Sequence, residues 1–215
     1  MFNSISENRG IAALTPHDLK VYSVGISTGG SAEIRMAEQN SRRHIVATTI
    51  DPEGIRFARQ RIEEKKLSNQ IEVKLENVTT PLPYENGWFD FIYARLILHY
   101  LPKNQLENAL KELHRILNVR GRMFIVVRST DCPKANCKTS TLDPTTGLTT
   151  YKDNHGISYT RYFHSEESMT NYLLKADFQP YRIKNYQEQI CVDFQRTQLS
   201  THVDSLLEVL ALKQC

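Results

Sequence analysis

Strand-like and helix-like hydrophobic patterns alternate along the first 130 residues. The continuous β-branched run IVATTI at positions 45–50 is typical of a strand buried on both faces. Apolar runs predict further strands at 19–24, 71–75, 89–94 and 122–127. Helices are predicted at 31–39, 52–66 and 102–117, and Leu106, Leu110, Leu113 and Leu117 recur on one face of the last. This alternation predicts an α/β fold with a parallel sheet and helices on both faces.

The pattern changes after residue 127. A polar stretch with two prolines runs from Ser129 to about residue 160 and predicts a long irregular excursion. Ser165 is the expected N-cap of a helix at 165–175, and strands are predicted at 180–191 and 205–212. No linker splits the chain, so residues 1–215 are expected to form a single domain. Residues 1–18 are expected to be a helical or flexible N-terminal segment.

Composition restricts the function further. The chain has 215 residues, 40% of them hydrophobic, and a net charge of +3 that argues against a nucleic-acid partner. The charge runs at 42–44 and 63–66 are expected to be solvated. Neither a signal peptide nor a membrane span is expected, and the predicted location is cytoplasmic. The cysteine spacing argues against a metal site.

The stretch VGISTGG, Val24 to Gly30, allows two interpretations. It matches the G-x-S-x-G turn that presents a hydrolase serine, which would make Ser27 a nucleophile, with Asp143 and His202 as possible partners. It also matches a degenerate glycine loop that holds a nucleotide after the first strand of a Rossmann-like unit. Only 26 residues precede Ser27, too few for the strands that come before a hydrolase turn. Asp51, at the end of the second strand, is placed to bind ribose hydroxyls, which favours the nucleotide loop.

A longer block carries a family resemblance. Residues 71–127, IEVKLENVTTPLPYENGWFDFIYARLILHYLPKNQLENALKELHRILNVRGRMFIVV, resemble the class I S-adenosylmethionine-dependent methyltransferases, in particular the type 11-like small-molecule group. The segments RYFHSEESMTNYLLKADFQPYRI and LLEVLAL resemble the last helix and the closing strands of that family. The resemblance implies a doubly wound sheet of seven strands, mostly parallel, with an antiparallel C-terminal strand. It also implies S-adenosylmethionine as cofactor and S-adenosylhomocysteine as product.

The resemblance also implies which residues bind the cofactor. These are the loop residues Gly25, Ser27 and Gly29, the ribose ligand Asp51 with Pro52 beside the adenine, Asn77 and Val78 at the adenine edge, and Arg95 near the methionine end. The sequence departs from the family pattern at Ser23, where an acid is usual, at Ser27 in place of a glycine, and at Asn77 in place of an aspartate. These departures keep open a catalytically weak or silent cofactor-binding or interaction module on the same fold.

His99 is the candidate general base, against the alternative of a packed histidine at a helix start. Tyr93, Tyr100, His155 and Tyr159 are weaker candidates. The loop motifs of nucleobase and arginine methylases are missing from the sequence, which favours a small-molecule acceptor covered by residues 129–160. A monomer or a homodimer is expected.

Overall fold

The computed structural model describes residues 4–26, 28–153, 156–191 and 198–214. Its helices are α1 Ile5–Ala12, α2 Ser31–Glu38, α3 Pro52–Glu64, α4 Lys103–Ile116 and α5 Glu166–Lys175. Its strands are β1 Lys20–Ser23, β2 His44–Thr49, β3 Ile71–Leu75, β4 Phe89–Arg95, β5 Leu117–Arg128, β6 Thr141–Leu142, β7 Thr149–Lys152, β8 Ser158–Arg161, β9 Phe178–Cys191 and β10 Leu199–Lys213.

One seven-stranded sheet runs through the molecule in the order β3-β2-β1-β4-β5-β10-β9. Strands β1 to β5 pair in parallel, and β10 is antiparallel to both β5 and β9. The predicted α/β fold, mostly parallel with an antiparallel C-terminal part, is therefore confirmed. The carboxyl ends of β1 to β5 meet at one edge of the sheet, where open α/β sheets bind their ligands.

Helices cover both faces of the sheet, as the alternating pattern predicts. On one face, Leu106, Leu110 and Leu113 of α4 are fully buried in a core shared with α5. On the other face, Met36 of α2 and Ile62 of α3 pack in a core that contains Tyr93 and Phe124. Burial on both sides explains why β2 is a run of apolar and β-branched residues rather than an alternating strand.

The prediction of a long irregular excursion after β5 is wrong in part, because this segment contains strands of its own. Strands β6, β7 and β8 form a separate three-stranded antiparallel sheet. Residues of β7 alternate between buried and exposed positions, with Tyr151 inward against Phe163 and Cys132. This small core supports a local sheet within a polar stretch.

The prediction that residues 42–44 are solvated is wrong for Arg43, which is 2% exposed. Its guanidinium donates to the backbone carbonyls of Thr15, Asp18 and Met36 at 2.6–2.9 Å. A guanidinium has five N–H donors and can therefore join several unpaired carbonyls in the interior. The run at 63–66 is exposed, as predicted.

Candidate functional site

The loop between β1 and α2 is built on glycines in the left-handed region. Gly25 has φ 70° and Gly29 has φ 61°, conformations that residues with a Cβ rarely adopt. A Cβ at Gly25 would lie 2.7 Å from Ile97 Cγ1, so this position has no room for a side chain. Ser27, the residue on which the hydrolase and nucleotide interpretations differ, lies outside the described residues.

A buried carboxylate lies directly behind this loop. Ser23, at the end of β1, donates from Oγ to Glu33 Oε1 at 2.6 Å, and both side chains are fully buried. Glu33 comes from the first turn of α2, where a negative charge interacts favourably with the helix dipole. Ser23 occupies the position at which the methyltransferases that this sequence resembles usually carry an acid. Glu33 of α2 places a carboxylate next to this position.

Asp51 lies at the carboxyl end of β2 and caps α3. Its Oδ1 accepts from the backbone N–H of Glu53 at 3.0 Å, and Pro52 occupies the first helical position. Its Oδ2 has no partner among the described residues, and Gly54 faces it without a side chain. One carboxylate oxygen can therefore accept hydrogen bonds from a ligand without disturbing the cap.

Exposed apolar side chains flank Asp51. Ile50 is 71% exposed and Leu75, at the end of the adjacent β3, is 59% exposed. Thr49 and Leu75 are register partners, so these exposed side chains lie on neighbouring strand ends. A flat apolar ring could cover both.

The turn after β3 holds Asn77 and Val78. Asn77 Oδ1 accepts from the backbone N–H of Thr79 at 3.0 Å and from its hydroxyl at 2.8 Å, and Val78 is buried. Both acceptor positions of the Asn77 amide are therefore used inside the turn. Its predicted contact with the adenine amine would require this turn to rearrange.

Glu76, which precedes this turn, fixes it to the sheet and was not predicted from the sequence. Its carboxylate accepts from the hydroxyls of Tyr22 at 3.0 Å and Tyr84 at 2.7 Å. Burial raises the pKa of Tyr22, and the Glu76 charge raises it further, so the phenol stays protonated and remains a donor. Tyr22 lies 54 residues from Glu76 in the sequence, and the strand order brings the two together.

Arg95 lies at the end of β4 but points to the N-terminal segment. Its Nε donates to Ser6 Oγ at 2.7 Å and its Nη2 to Ser4 Oγ at 2.9 Å. Glu188 of β9 lies 3.9 Å from the same guanidinium. The predicted contact of Arg95 with the methionine end of a cofactor would therefore require exchange of these partners.

His99 lies in the short 3₁₀ turn Leu98–Tyr100 that follows β4, and it is 1% exposed. Its ring stacks on Tyr100 at 4.6 Å between centroids, and its Nδ1 has no hydrogen-bond partner among the described residues. Burial lowers the pKa of His99 well below its ordinary value, and the nearby Arg128 and Arg161 cations lower it further. The imidazole is therefore neutral at physiological pH, the form in which a histidine can accept a proton.

His164 lies beside the end of β5 and was not singled out from the sequence. It is fully buried, and its backbone forms a parallel bridge with Ser129. Neither ring nitrogen has a partner among the described residues, and burial lowers the pKa to about 3. Its position within YFHSEE, directly before the N-cap Ser165, resembles an ordinary loop and gives no signal of function.

The weaker candidates are dispersed. Tyr93 stacks on Phe124 in the core beneath α1 and α2, whereas Tyr100 is half exposed and stacks on His99. The hydroxyl of Tyr159 donates to Asp153 at 3.3 Å. His155 lies outside the described residues.

The possible partners of a Ser27 nucleophile are not assembled in the described part of the chain. Asp143 accepts from the Thr146 hydroxyl at 2.6 Å, and His202 lies on β10 without a hydrogen bond to Asp143. Within the same residues, no group of three histidine, cysteine or acidic side chains could hold a metal ion. No described helix is both long and apolar enough to cross a bilayer.

Comparison with known proteins agrees with this geometry. Residues 21–121 match the protein family described as "Methyltransferase domain". A comparison with curated proteins gives no match.

Several solved structures share the fold. A crystal structure of S-adenosylmethionine-dependent methyltransferases from Methanosarcina mazei is similar over 94% of this chain and 95% of that one, with 16% identity and a TM-score of 0.74. A 1,6-didemethyltoxoflavin-N1-methyltransferase from Burkholderia thailandensis, solved with S-adenosylhomocysteine, is similar over 98% and 79%, with 16% identity and a TM-score of 0.64. A [4+2]-cyclase, SpnF, is similar over 97% and 80%, with 16% identity and a TM-score of 0.68.

These findings confirm the identification made from the sequence block at 71–127 and the assignment of S-adenosylmethionine as cofactor. Residues 21–121 match a methyltransferase domain, and the chain has the fold of the class I S-adenosylmethionine-dependent methyltransferases.

Proposed function

We propose that the protein transfers the methyl group of S-adenosylmethionine to a small-molecule acceptor. The observation that carries the proposal is the Asp51 carboxylate, which lies at the carboxyl end of β2 with one oxygen free for a ligand. In a parallel sheet of this type, an acid at the end of the second strand is placed to bind ribose hydroxyls.

The adenosine half of the cofactor fits the strand ends. Asp51 Oδ2 would accept from the ribose, and the exposed apolar surface of Ile50 and Leu75 would lose contact with water beneath the adenine. The predicted positions of Pro52 and Val78 beside the adenine stay predictions. Asn77 holds its turn through Thr79, so its predicted adenine contact stays a prediction.

The methionine half would lie over the glycine loop. Gly25 and Gly29 let the backbone approach a ligand closely, and the loop leads into the N-terminus of α2. The predicted roles of Ser27 and Arg95 stay predictions. Arg95 can take part only if Ser4, Ser6 and Glu188 release its guanidinium.

Methyl transfer requires little covalent help from the protein. When bound, the cofactor supplies an activated methyl group, and holding the acceptor atom in line with it provides much of the rate. His99 is the proposed general base, because its neutral imidazole lies in the turn after β4 at the carboxyl edge of the sheet; burial lowers its pKa and so also its strength as a base.

A small acceptor is consistent with the proposal that the segment 129–160 covers the carboxyl edge of the sheet. The backbone N–H of Tyr162, just after β8, donates to the His99 carbonyl at 2.7 Å, and this bond ties the segment 129–160 to the turn after β4. The neighbour from Burkholderia thailandensis is named for methylation of a small molecule. A cytoplasmic location, a monomer or homodimer, and the absence of a nucleic-acid partner stay predictions.

A second candidate is a protein with this fold that transfers no methyl group. The similarity to a [4+2]-cyclase supports this candidate. The cyclase is 16% identical to this chain, the same sequence identity as for the two methyltransferase structures. Ser23 and Ser27, which depart from the family pattern, also support this second candidate.

Label transfer tests the proposal. The protein is incubated with methyl-labelled S-adenosylmethionine and separate low-mass, protein and nucleic-acid fractions of a cell extract. The expected result is label in a low-mass product, abolished by Asp51→Ala and reduced by His99→Ala. Label in the macromolecular fractions alone would contradict a small acceptor, and no label in any fraction would favour the second candidate.

A further inference from the structure

A group of buried nitrogens without partners lies over the carboxyl ends of β4 and β5. It comprises His99 Nδ1, both ring nitrogens of His164, and the Nε atoms of Arg128 and Arg161. The members come from the turn after β4, from the end of β5, from β8 and from the residue before the N-cap of α5. We call these four residues the imidazole–arginine cluster.

Such a concentration of unsatisfied groups is unusual. Buried polar groups in folded proteins are hydrogen-bonded in the large majority of cases, and exceptions need an explanation. Backbone bonds hold His164 in place on both sides, since its N–H donates to Arg128 O at 2.9 Å and its carbonyl accepts from Thr130 N at 3.1 Å. Its side chain is therefore kept in an apolar setting without a partner, against Tyr162 at 4.2 Å and Tyr172 at 6.2 Å between ring centroids.

The two arginines differ in how their charge is balanced. Arg128 pairs with Asp204, which also lies 3.3 Å from Lys134 Nζ. Arg161 has no carboxylate within ion-pair distance in the described part of the chain. Its guanidinium lies over the ring of Tyr100 at 4.1 Å and near that of Tyr159 at 5.7 Å.

The free edge of Arg161 has a defined chemistry. Nη1 donates to the carbonyl of Thr160 at 2.7 Å, while Nε and Nη2 have no partner among the described residues. The Nε–Nη2 edge of a guanidinium presents two parallel N–H donors, which match the two oxygens of a carboxylate. The neighbouring histidines are neutral and can add one donor each without competing charge.

Access to the cluster requires movement of the small β6–β8 sheet. Two contacts between β8 with the residue after it and the turn after β4 are the Tyr162–His99 backbone bond and the stacking of Arg161 on Tyr100. Both are local contacts that a ligand can replace, and a carboxylate would offset the loss by pairing with Arg161.

We propose that the imidazole–arginine cluster binds the carboxylate of the methyl acceptor, with Arg161 as the ion-pair partner and His164 and His99 as hydrogen-bond partners. This inference rests on the proposed function and specifies its substrate class: a small molecule that carries a carboxylate close to the atom that is methylated. Arg161 and His164 are then residues that set acceptor specificity.

Matched ligand pairs test the proposal. The probes are a panel of small aromatic and aliphatic hydroxycarboxylates, each paired with its neutral carboxamide, titrated by calorimetry into the protein saturated with S-adenosylhomocysteine. We expect carboxylates to bind at least about tenfold more tightly than their amides, as a bidentate charge-assisted pair requires. Arg161→Gln should remove this preference, whereas Arg42→Gln, at an exposed arginine, should leave it unchanged.

A spectroscopic readout separates binding from a structural role. Histidine ring signals of His99 and His164 should shift on addition of a carboxylate and stay unchanged with the amide. Equal binding of acids and amides, no binding of any acid, or unchanged selectivity in Arg161→Gln would overturn the inference. A protein that binds S-adenosylhomocysteine without preferring acids refutes this inference alone, whereas failure to bind S-adenosylhomocysteine refutes the proposed function.

Discussion

Ser23 Oγ and Glu33 Oε1 form a 2.6 Å hydrogen bond between two fully buried side chains at the base of the glycine loop. The first strand ends in a hydroxyl rather than a carboxylate, yet a carboxylate from α2 occupies the space behind the loop. The loop therefore keeps an acidic support despite its departure from the family pattern.

Removing the hydroxyl should weaken this support. Ser23→Ala leaves a buried carboxylate short of one donor, and we expect the free energy of unfolding to fall by about 1–3 kcal/mol. Urea unfolding measures this change, and calorimetry should show weaker binding of S-adenosylhomocysteine. Ser200→Ala, at a hydroxyl on β10 outside the loop, is the control, and equal effects of the two substitutions would contradict the role of Ser23 in the loop.

Asp51 allows its cap and its ligand role to be separated. Asp51→Asn keeps an oxygen that can cap α3, so stability should stay close to that of the wild type while affinity for S-adenosylhomocysteine falls. Asp51→Ala should lose the affinity and also about 1 kcal/mol of stability. Glu53→Gln, at a neighbouring exposed carboxylate, should leave the affinity unchanged, and unchanged affinity in Asp51→Asn would remove the ribose assignment.

His99→Ala should lower turnover more than cofactor affinity. The imidazole is buried in the turn after β4, whereas the proposed cofactor contacts come from β1 to β3. Steady-state rates and calorimetry provide the two quantities, with His44→Ala at an exposed histidine as the control. Loss of affinity with turnover preserved would move His99 into the cofactor pocket.

His164 should make the fold sensitive to acid. Its pKa is about 3 in the folded chain, against an ordinary value of 6.5, so below about pH 6.5 the unfolded chain binds a proton that the folded chain does not. Its contribution to stability is complete above that pH and falls by about 1.4 kcal/mol per pH unit as the pH decreases toward about 3. Urea unfolding over this range should give a shallower pH dependence for His164→Asn, and an unchanged slope would contradict a neutral buried imidazole.

Arg43→Lys should destabilise the fold without affecting the active site. Lysine cannot reach the carbonyls of Thr15, Asp18 and Met36 together, so we expect a loss of roughly 2–4 kcal/mol. Arg42→Lys, at the exposed neighbouring arginine, should cost under about 0.5 kcal/mol. Similar stability of the two variants would show that the buried hydrogen bonds contribute little.

Much of the sheet could be predicted because each buried strand has a local signature. The apolar run at 45–50 and the leucine periodicity of α4 predict buried elements from residues that are close together in the sequence. The small β6–β8 sheet has short polar strands, and its core of Tyr151, Phe163 and Cys132 forms only when distant residues meet.

A site residue could be predicted from the sequence only where its role follows from its position at the end of one strand. Asp51 follows from its place after β2, whereas Glu33, Glu76 and His164 act through contacts between separate elements. Arg43 shows the converse, because a local charge run is typical of a solvated face while the tertiary structure surrounds its middle residue with carbonyls. Pairings of this kind have no periodicity that a single sequence reveals.

Calorimetric titration with S-adenosylhomocysteine tests the central claim most directly. The account predicts binding at one site with a dissociation constant in the micromolar range, weakened by Asp51→Asn and unaffected by Glu53→Gln. Absence of detectable binding at millimolar ligand concentrations would contradict it.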